Sequence, residues 1–201
     1  MKKSLFVISD LHLGGAPAGN GKPSFQMCSP SGRARLAEFI QYAQKQSNAD
    51  CLVHLVLAGD IVDFLAEEEF AAFSAKDEIA RQKLDRILKG TDEVWKSLEA
   101  FVNSGARLTL LLGNHDIELS LPGPRRLLLD RLGPGKVEFI YDNQAFVEGP
   151  VLIEHGNRYD SWNIVSHDAL REVRSVLSRG EPPVTFEGPA GSHLVVNVMN
   201  K

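Results

Sequence analysis

The stretch CLVHLVLAGDIVD, residues 51–63, holds a short apolar run, Leu52–Ala58, that stops on Gly59 and delivers two carboxylates, Asp60 and Asp63. A run of this length bounded by polar and glycine residues reads as a buried strand. The arrangement recurs along the chain. Leu5–Ile8 leads to Asp10-Leu11-His12, Leu108–Leu112 to Gly113-Asn114-His115-Asp116, and Val151–Ile153 to His155-Gly156-Asn157. In an open α/β sheet, ligands gather outside the carboxyl ends of the strands. The four polar clusters are therefore expected on one rim.

Helical periodicity fills the intervals between these runs. Helices are predicted at Ser31–Ser47, at Glu67–Phe73, at Lys76–Leu88 and, after a cap at Thr91, up to Gly105. Two more are expected over Pro122–Leu132 and Ser161–Arg179. Gly14–Pro30 is rich in Gly, Pro, Ala and Ser, so it reads as a loop leaving the first cluster and lying beside the site. The βαβαβ opening argues for a parallel sheet with helices on its faces. Lys136–Tyr141, Gln144–Glu148 and Val151–Glu154 read as short strands of a second sheet or an antiparallel extension. The tail from Glu181 ends in an apolar element, Leu194–Met199, without a cap. The chain accordingly reads as one domain, residues 1–201, cut short at the C-terminus, with apolar surface through which it could oligomerise.

Composition narrows the classes. Apolar residues make up 43% and charged residues 24% of the 201, which is ordinary for a globular protein. The net charge of -4 argues against a broad nucleic-acid footprint. No apolar run approaches a membrane span, and the first one ends at Ser9-Asp10, too soon for a signal peptide. A cytoplasmic protein is expected. Cys28 and Cys51 have no metal-site spacing and demand no disulfide.

The clusters carry metal chemistry if taken together. Asp10 and His12, two residues apart on an extended segment, would point the same way. Asp60, behind a glycine, could bridge two cations through its two oxygens. Asn114 offers a neutral amide oxygen and His155 an imidazole. Mixed nitrogen and oxygen ligation suits Mn, Fe, Co or Zn better than Mg. Each residue also has a plainer reading alone. Asp10 could end a strand, Gly59-Asp60 could be a turn, Asn114 could be a left-handed turn residue, and His155 could be bonded to backbone. His54, in mid-strand, reads as a packed histidine, and His167-Asp168 as a solvated pair on a helix. The aromatic positions follow core spacing and suggest no stacking platform.

In order, D-x-H, G-D-x-x-D, G-N-H-D and a lone histidine, the four clusters resemble the calcineurin-like metallophosphoesterases. That resemblance implies a two-sheet sandwich flanked by helices and a metal-dependent hydrolase of phosphomonoesters, phosphodiesters or pyrophosphates. It implies two divalent ions, with Mn first among Mn, Fe, Zn and Co, roughly 3.5–4 Å apart around a bridging hydroxide. Asp10, His12 and Asp60 would hold one ion. Asp60, Asn114 and His155 would hold the other. His115 would act on the leaving oxygen, oriented by Asp63 or Asp116, and Arg158 would contact the phosphate. The family's last motif, Gly-His-x-His, occurs nowhere in the chain. This departure leaves each ion about three protein ligands. It keeps open a second reading, a weak or inactive remnant retained as a binding or assembly module.

Overall fold

The computed structural model describes residues 2–15, 25–142 and 145–200. Four parallel strands form the main sheet in the order β1 (Lys2–Ile8), β2 (Cys51–Ala58), β3 (Arg107–Leu111) and β4 (Val137–Ile140). The helices α1 (Pro30–Lys45), α2 (Asp77–Gly90), α3 (Asp92–Asn103) and α4 (Pro122–Leu132) connect them. From Val53 onward every residue of β2 is buried, as expected of a run that is apolar but for His54. At the edge, β1 carries Lys2 and Lys3, charges that discourage pairing with another chain.

Each face of the sheet has its own core. On the helical face Val53, Leu55 and Leu57 meet Ile40, Leu84, Ile87, Trp95 and Phe101. On the other face Val56, Ala58 and Leu111 pack on Phe146 and Ile153. These last two come from a small antiparallel sheet, β5 (Ala145–Glu148) with β6 (Val151–Glu154). The sandwich flanked by helices is thus present. The strand predicted at Lys136–Tyr141 belongs to the first sheet, however, where β4 runs parallel to β3. The reason is the crossover through α4, because a strand-helix-strand unit returns the chain parallel.

Three other expectations are corrected. Glu67–Phe73 is not helical. A 3-10 turn, Phe64–Ala66, ends there, and the buried Glu67 carboxylate is taken by the Gly15 N–H (2.9 Å) and Arg86 Nε (3.2 Å). The helix expected from Ser161 begins only at His167, as α5 (His167–Ser178), because Asp160 holds residues 162 and 163 in a turn. Thr91 precedes α3 but does not cap it with its side chain. Its hydroxyl donates to Ile87 O (2.7 Å) and accepts from Trp95 Nε1 (2.9 Å), closing α2 instead. Residues 16–24 of the loop expected over Gly14–Pro30, and 143–144 near β5, lie outside the described residues. A short helix α6 (Ala190–Leu194) and a π-turn (Val195–Met199) form the tail, with Leu194, Val198 and Met199 exposed. Among the described residues, no helix is long and apolar enough to cross a membrane.

Glu118, just beyond the third cluster, is fully buried and accepts the Ser74 N–H (2.9 Å). Burial pushes its carboxyl from the usual 4.5 up to about 7. The fold therefore prefers the protonated form. That contribution is complete below the unfolded value and is lost as pH rises through about 7. Above that pH, ionisation costs the fold up to about 3 kcal/mol. Glu118→Gln keeps the acceptor and removes the ionisation, at the expense of a favourable charge near the buried Lys83. We expect it to add roughly 1–3 kcal/mol of stability at pH 8 and almost nothing at pH 4. Urea unfolding at the two pH values measures this, and an equal change at both would contradict it.

Candidate metal centre

All four polar clusters meet at one end of the strands, and backbone hydrogen bonds lace the first two together. Asp10 N–H donates to Gly59 O (3.1 Å), His12 N–H to Asp60 O (2.9 Å), Leu13 N–H to Ile61 O (3.0 Å) and Asp63 N–H to Leu13 O (2.9 Å). This lacing bends the chain sharply. Asp10, His12 and Asp60 all adopt left-handed backbone, with φ of 56°, 43° and 50°. The extended geometry expected for Asp10 and His12 is therefore wrong. Such conformations cost of order 1–3 kcal/mol each and persist only where surroundings impose them. Here the cross-loop hydrogen bonds impose them.

Two glycines make room. A Cβ on Gly113 would lie 2.0 Å from Asp60 Oδ1, and one on Gly59, at φ 90°, 2.7 Å from the His155 ring. Asp116 ties the same two loops. It is completely buried, and its oxygens accept from Gly113 N–H (2.6 Å) and Ile61 N–H (2.7 Å). Burial, with the nearby Asp60 charge, raises its carboxyl to about 7 despite those donors.

At the centre stands Asp60. Asp60, His12 and His115 place ligand atoms within 4.8 Å of one another, and so do Asp60, Asp10 and His155. Asp60 belongs to both groups. His155 Nε2 lies 3.4 Å from Asp60 Oδ2 and 3.3 Å from Asn114 Oδ1. Burial works against ionisation of Asp60, but the hydrogen bond and charge of His155 hold its carboxyl below the usual range. In return, despite burial, Asp60 pulls His155 up to about 9.

Asp63 lies below, between two imidazoles. Oδ2 is 3.1 Å from His12 Nδ1 and Oδ1 is 3.3 Å from His115 Nδ1, while Oδ1 also accepts from Leu65 and Ala66 N–H. The two rings stand perpendicular, with centroids 4.7 Å apart. Burial disfavours the Asp63 charge, yet bonds from His115 and His12 keep its carboxyl well below the ordinary range. Asp63 rather than Asp116 thus meets the His115 ring, while the His115 backbone N–H donates to Asp60 Oδ1 (2.9 Å).

The donor set fits a cation. His155 Nδ1 meets the carbonyl of Ala58 at 2.9 Å, and a carbonyl only accepts, so Nδ1 carries the hydrogen. In the neutral ring, Nε2 then presents a lone pair to Asp60 Oδ2 and Asn114 Oδ1. Three acceptors converging without a donor call for positive charge. Without a metal, a proton on His155 supplies it. Fixing one imidazole nitrogen on a carbonyl is also how metal-binding histidines are oriented.

The match to known proteins is now interpretable. The family described as calcineurin-like phosphoesterase matches the chain over residues 3–192. The chain belongs to that family. Calcineurin-like phosphoesterases are metal-dependent hydrolases that act on ester bonds of phosphorylated substrates. No curated protein matches it closely.

Other residues singled out in the sequence fall outside the cluster. The Arg158 guanidinium is exposed, 3.4 Å from Glu154 and over the ring of Tyr159. His54 is packed, with Nε2 2.8 Å from Thr109 Oγ1. His167 is half-buried rather than solvated, and its Nδ1 has no partner among the described residues. Tyr159 and Trp162, near the site after His155, are 72% and 57% exposed, so these two aromatics depart from the core spacing read from the sequence. Asn163 was not foreseen. Its amide oxygen is 3.5 Å from Asn114 Nδ2, and the 49-residue separation leaves no local signal.

Proposed function

We propose that this phosphoesterase uses two divalent cations, Mn first among Mn, Fe, Zn and Co, to hydrolyse a phosphomonoester, phosphodiester or pyrophosphate. The observation that carries the reading is Asp60, one buried carboxylate common to both groups of ligand atoms. Asp10, His12 and Asp60 hold one cation; Asp60, Asn114 and His155 hold the other. Bound there, divalent cations polarise phosphoryl oxygens and lower the pKa of water.

The protein's own groups supply the rest. Asp63 accepts from His115 Nδ1, leaving Nε2 to deliver a proton to the leaving oxygen. The Asp63 hydrogen bond raises His115 against the opposing effect of burial, which favours the protonated ring such a role needs. A cavity of about 340 Å³, lined by Asp10, His12, Met27, Cys28, Ser29 and Leu36, adjoins the cluster and has the size to take the organic part of a substrate. Arg158 remains a candidate for the phosphate only if its guanidinium leaves Glu154.

His115 is the residue on which ligand and acid roles compete, because it lies as close to Asp60 and His12 as a ligand would. We expect His115→Ala to keep its metal and lose at least about ten-fold in turnover of an aryl phosphate ester, since acid–base contributions are typically ~10²–10⁴-fold. Metal analysis alongside the rate decides. Loss of metal in this variant would make His115 a ligand.

A further inference from the structure

We infer that Asn163, fixed by Asp160, is a positioning residue that turns the Asn114 amide so that its oxygen faces the cation position. The inference rests on the two-cation reading for its functional consequence. An asparagine amide is nearly symmetrical in shape but not in polarity: one end accepts and the other donates. Only the accepting end can ligate a cation. Something must therefore choose the flip of Asn114.

The choice follows from donor and acceptor identity along a short relay. The Asp160 carboxylate only accepts. Its Oδ1 takes the Trp162 N–H (3.0 Å), so the second oxygen is aimed by backbone at Asn163, 2.8 Å from Nδ2. Asn163 must present its nitrogen to Asp160, which turns its Oδ1 to Asn114. Asn114 must then present its nitrogen to Asn163, at 3.5 Å, which turns its own Oδ1 to His155 Nε2, at 3.3 Å. The link between the two asparagines is long, so it contributes orientation more than strength. Asn163 is itself pinned. Its carbonyl accepts from Asn157 Nδ2 (2.9 Å), and the chain of α6 closes over it: Gly191 N–H donates to Trp162 O (2.8 Å). A Cβ on Gly191 would lie 2.4 Å from Asn163 Oδ1, so a side chain at position 191 would push the Asn163 amide aside. Loop 157–163 and α6 thereby act on a ligand that belongs to the β3 loop.

The test exchanges polarity without exchanging shape. Asn163→Asp sets two carboxylates against each other, breaks the first link, and by repulsion from Asp160 drives the side chain at position 163 off its place against Asn114. The double variant Asp160→Asn/Asn163→Asp restores a donor facing an acceptor and leaves Asn114 its acceptor. Two readouts are used: the Asn114 side-chain amide signals in ¹⁵N spectra of the metal-free chain, and Mn²⁺ affinity by calorimetry. We expect Asn163→Asp and Asn163→Ala to move the Asn114 amide signals and weaken Mn²⁺ binding by about 10–100-fold, the usual cost of losing an outer partner of a ligand. The double variant should return both toward the original values, to within about three-fold in affinity. Gly191→Ala displaces Asn163 without altering any polar group, and should give the same loss. Unmoved Asn114 signals in Asn163→Ala, or moved signals with unchanged Mn²⁺ affinity, would overturn the inference. So would a double variant that melts like the parent yet binds as poorly as Asn163→Asp. If the parent chain itself bound no Mn²⁺, the two-cation reading would fail, and the amide signals would still decide whether the relay exists.

Discussion

Replacing Asp60 with asparagine should strip the site of metal more completely than any other single substitution. In the proposed assignment Asn114 and His155 serve one cation and Asp10 and His12 the other, while Asp60, the residue common to both groups of converging ligand atoms, serves both. Asparagine keeps the size and tolerates the left-handed backbone at φ 50°. The backbone is therefore spared while one charge is lost at the shared point. Loss of an outer partner costs about 10–100-fold in metal affinity, and loss of a shared ligand should reach or exceed the upper end for both ions. Metal content of Asp60→Asn beside Asp10→Asn and His155→Ala measures this. An equal or smaller loss at Asp60 would remove the bridging assignment.

Gly113→Ala should damage the same site without touching any ligand. The added methyl would meet Asp60 Oδ1 at 2.0 Å and Asp60 N at 2.4 Å, both far inside contact distance. Either Asp60 or the β3 loop must move. Forced packing of this kind costs typically ~1–3 kcal/mol, so the melting temperature should fall by on the order of 2–12 °C. Mn²⁺ affinity should fall with it, because the displaced group is the shared carboxylate. A Gly113→Ala variant that binds Mn²⁺ like the parent would show that the position of Asp60 is not set by this approach.

Much of this arrangement was legible in the sequence because burial on both faces leaves a simple trace. The runs Leu52–Ala58 and Leu108–Leu112 are apolar but for His54 and Thr109, which bond to each other, since both faces of β2 and β3 are covered, and the motif residues follow where the strands stop. What was misread depended on contacts between distant segments. Glu67–Phe73 has helical composition, but Gly15 and Arg86 capture Glu67. Asp10 and His12 look like alternate residues of a strand, but carbonyls of Gly59 and Asp60 bend them into left-handed backbone. Gly113 is required by the approach of Asp60 rather than by an unusual φ, and no local pattern signals that contact. The partners of Asn114 come from the loop after His155, and polarity along that loop has no period to detect.

The most direct test of the two-cation phosphoesterase reading is Mn²⁺ titration of the metal-free 201-residue chain, followed by its rate on an aryl phosphate ester. Catalytic metals work with as few as three protein ligands and water, so binding should be measurable without a Gly-His-x-His motif. The ligand sets are not equal, because Asp60, Asn114 and His155 include one shared and one neutral group. We expect one tight site and a weaker second, hydrolysis that appears only with Mn²⁺, and loss of both sites in Asp60→Asn. No saturable binding, or hydrolysis that persists in the stripped chain, would contradict the two-cation reading.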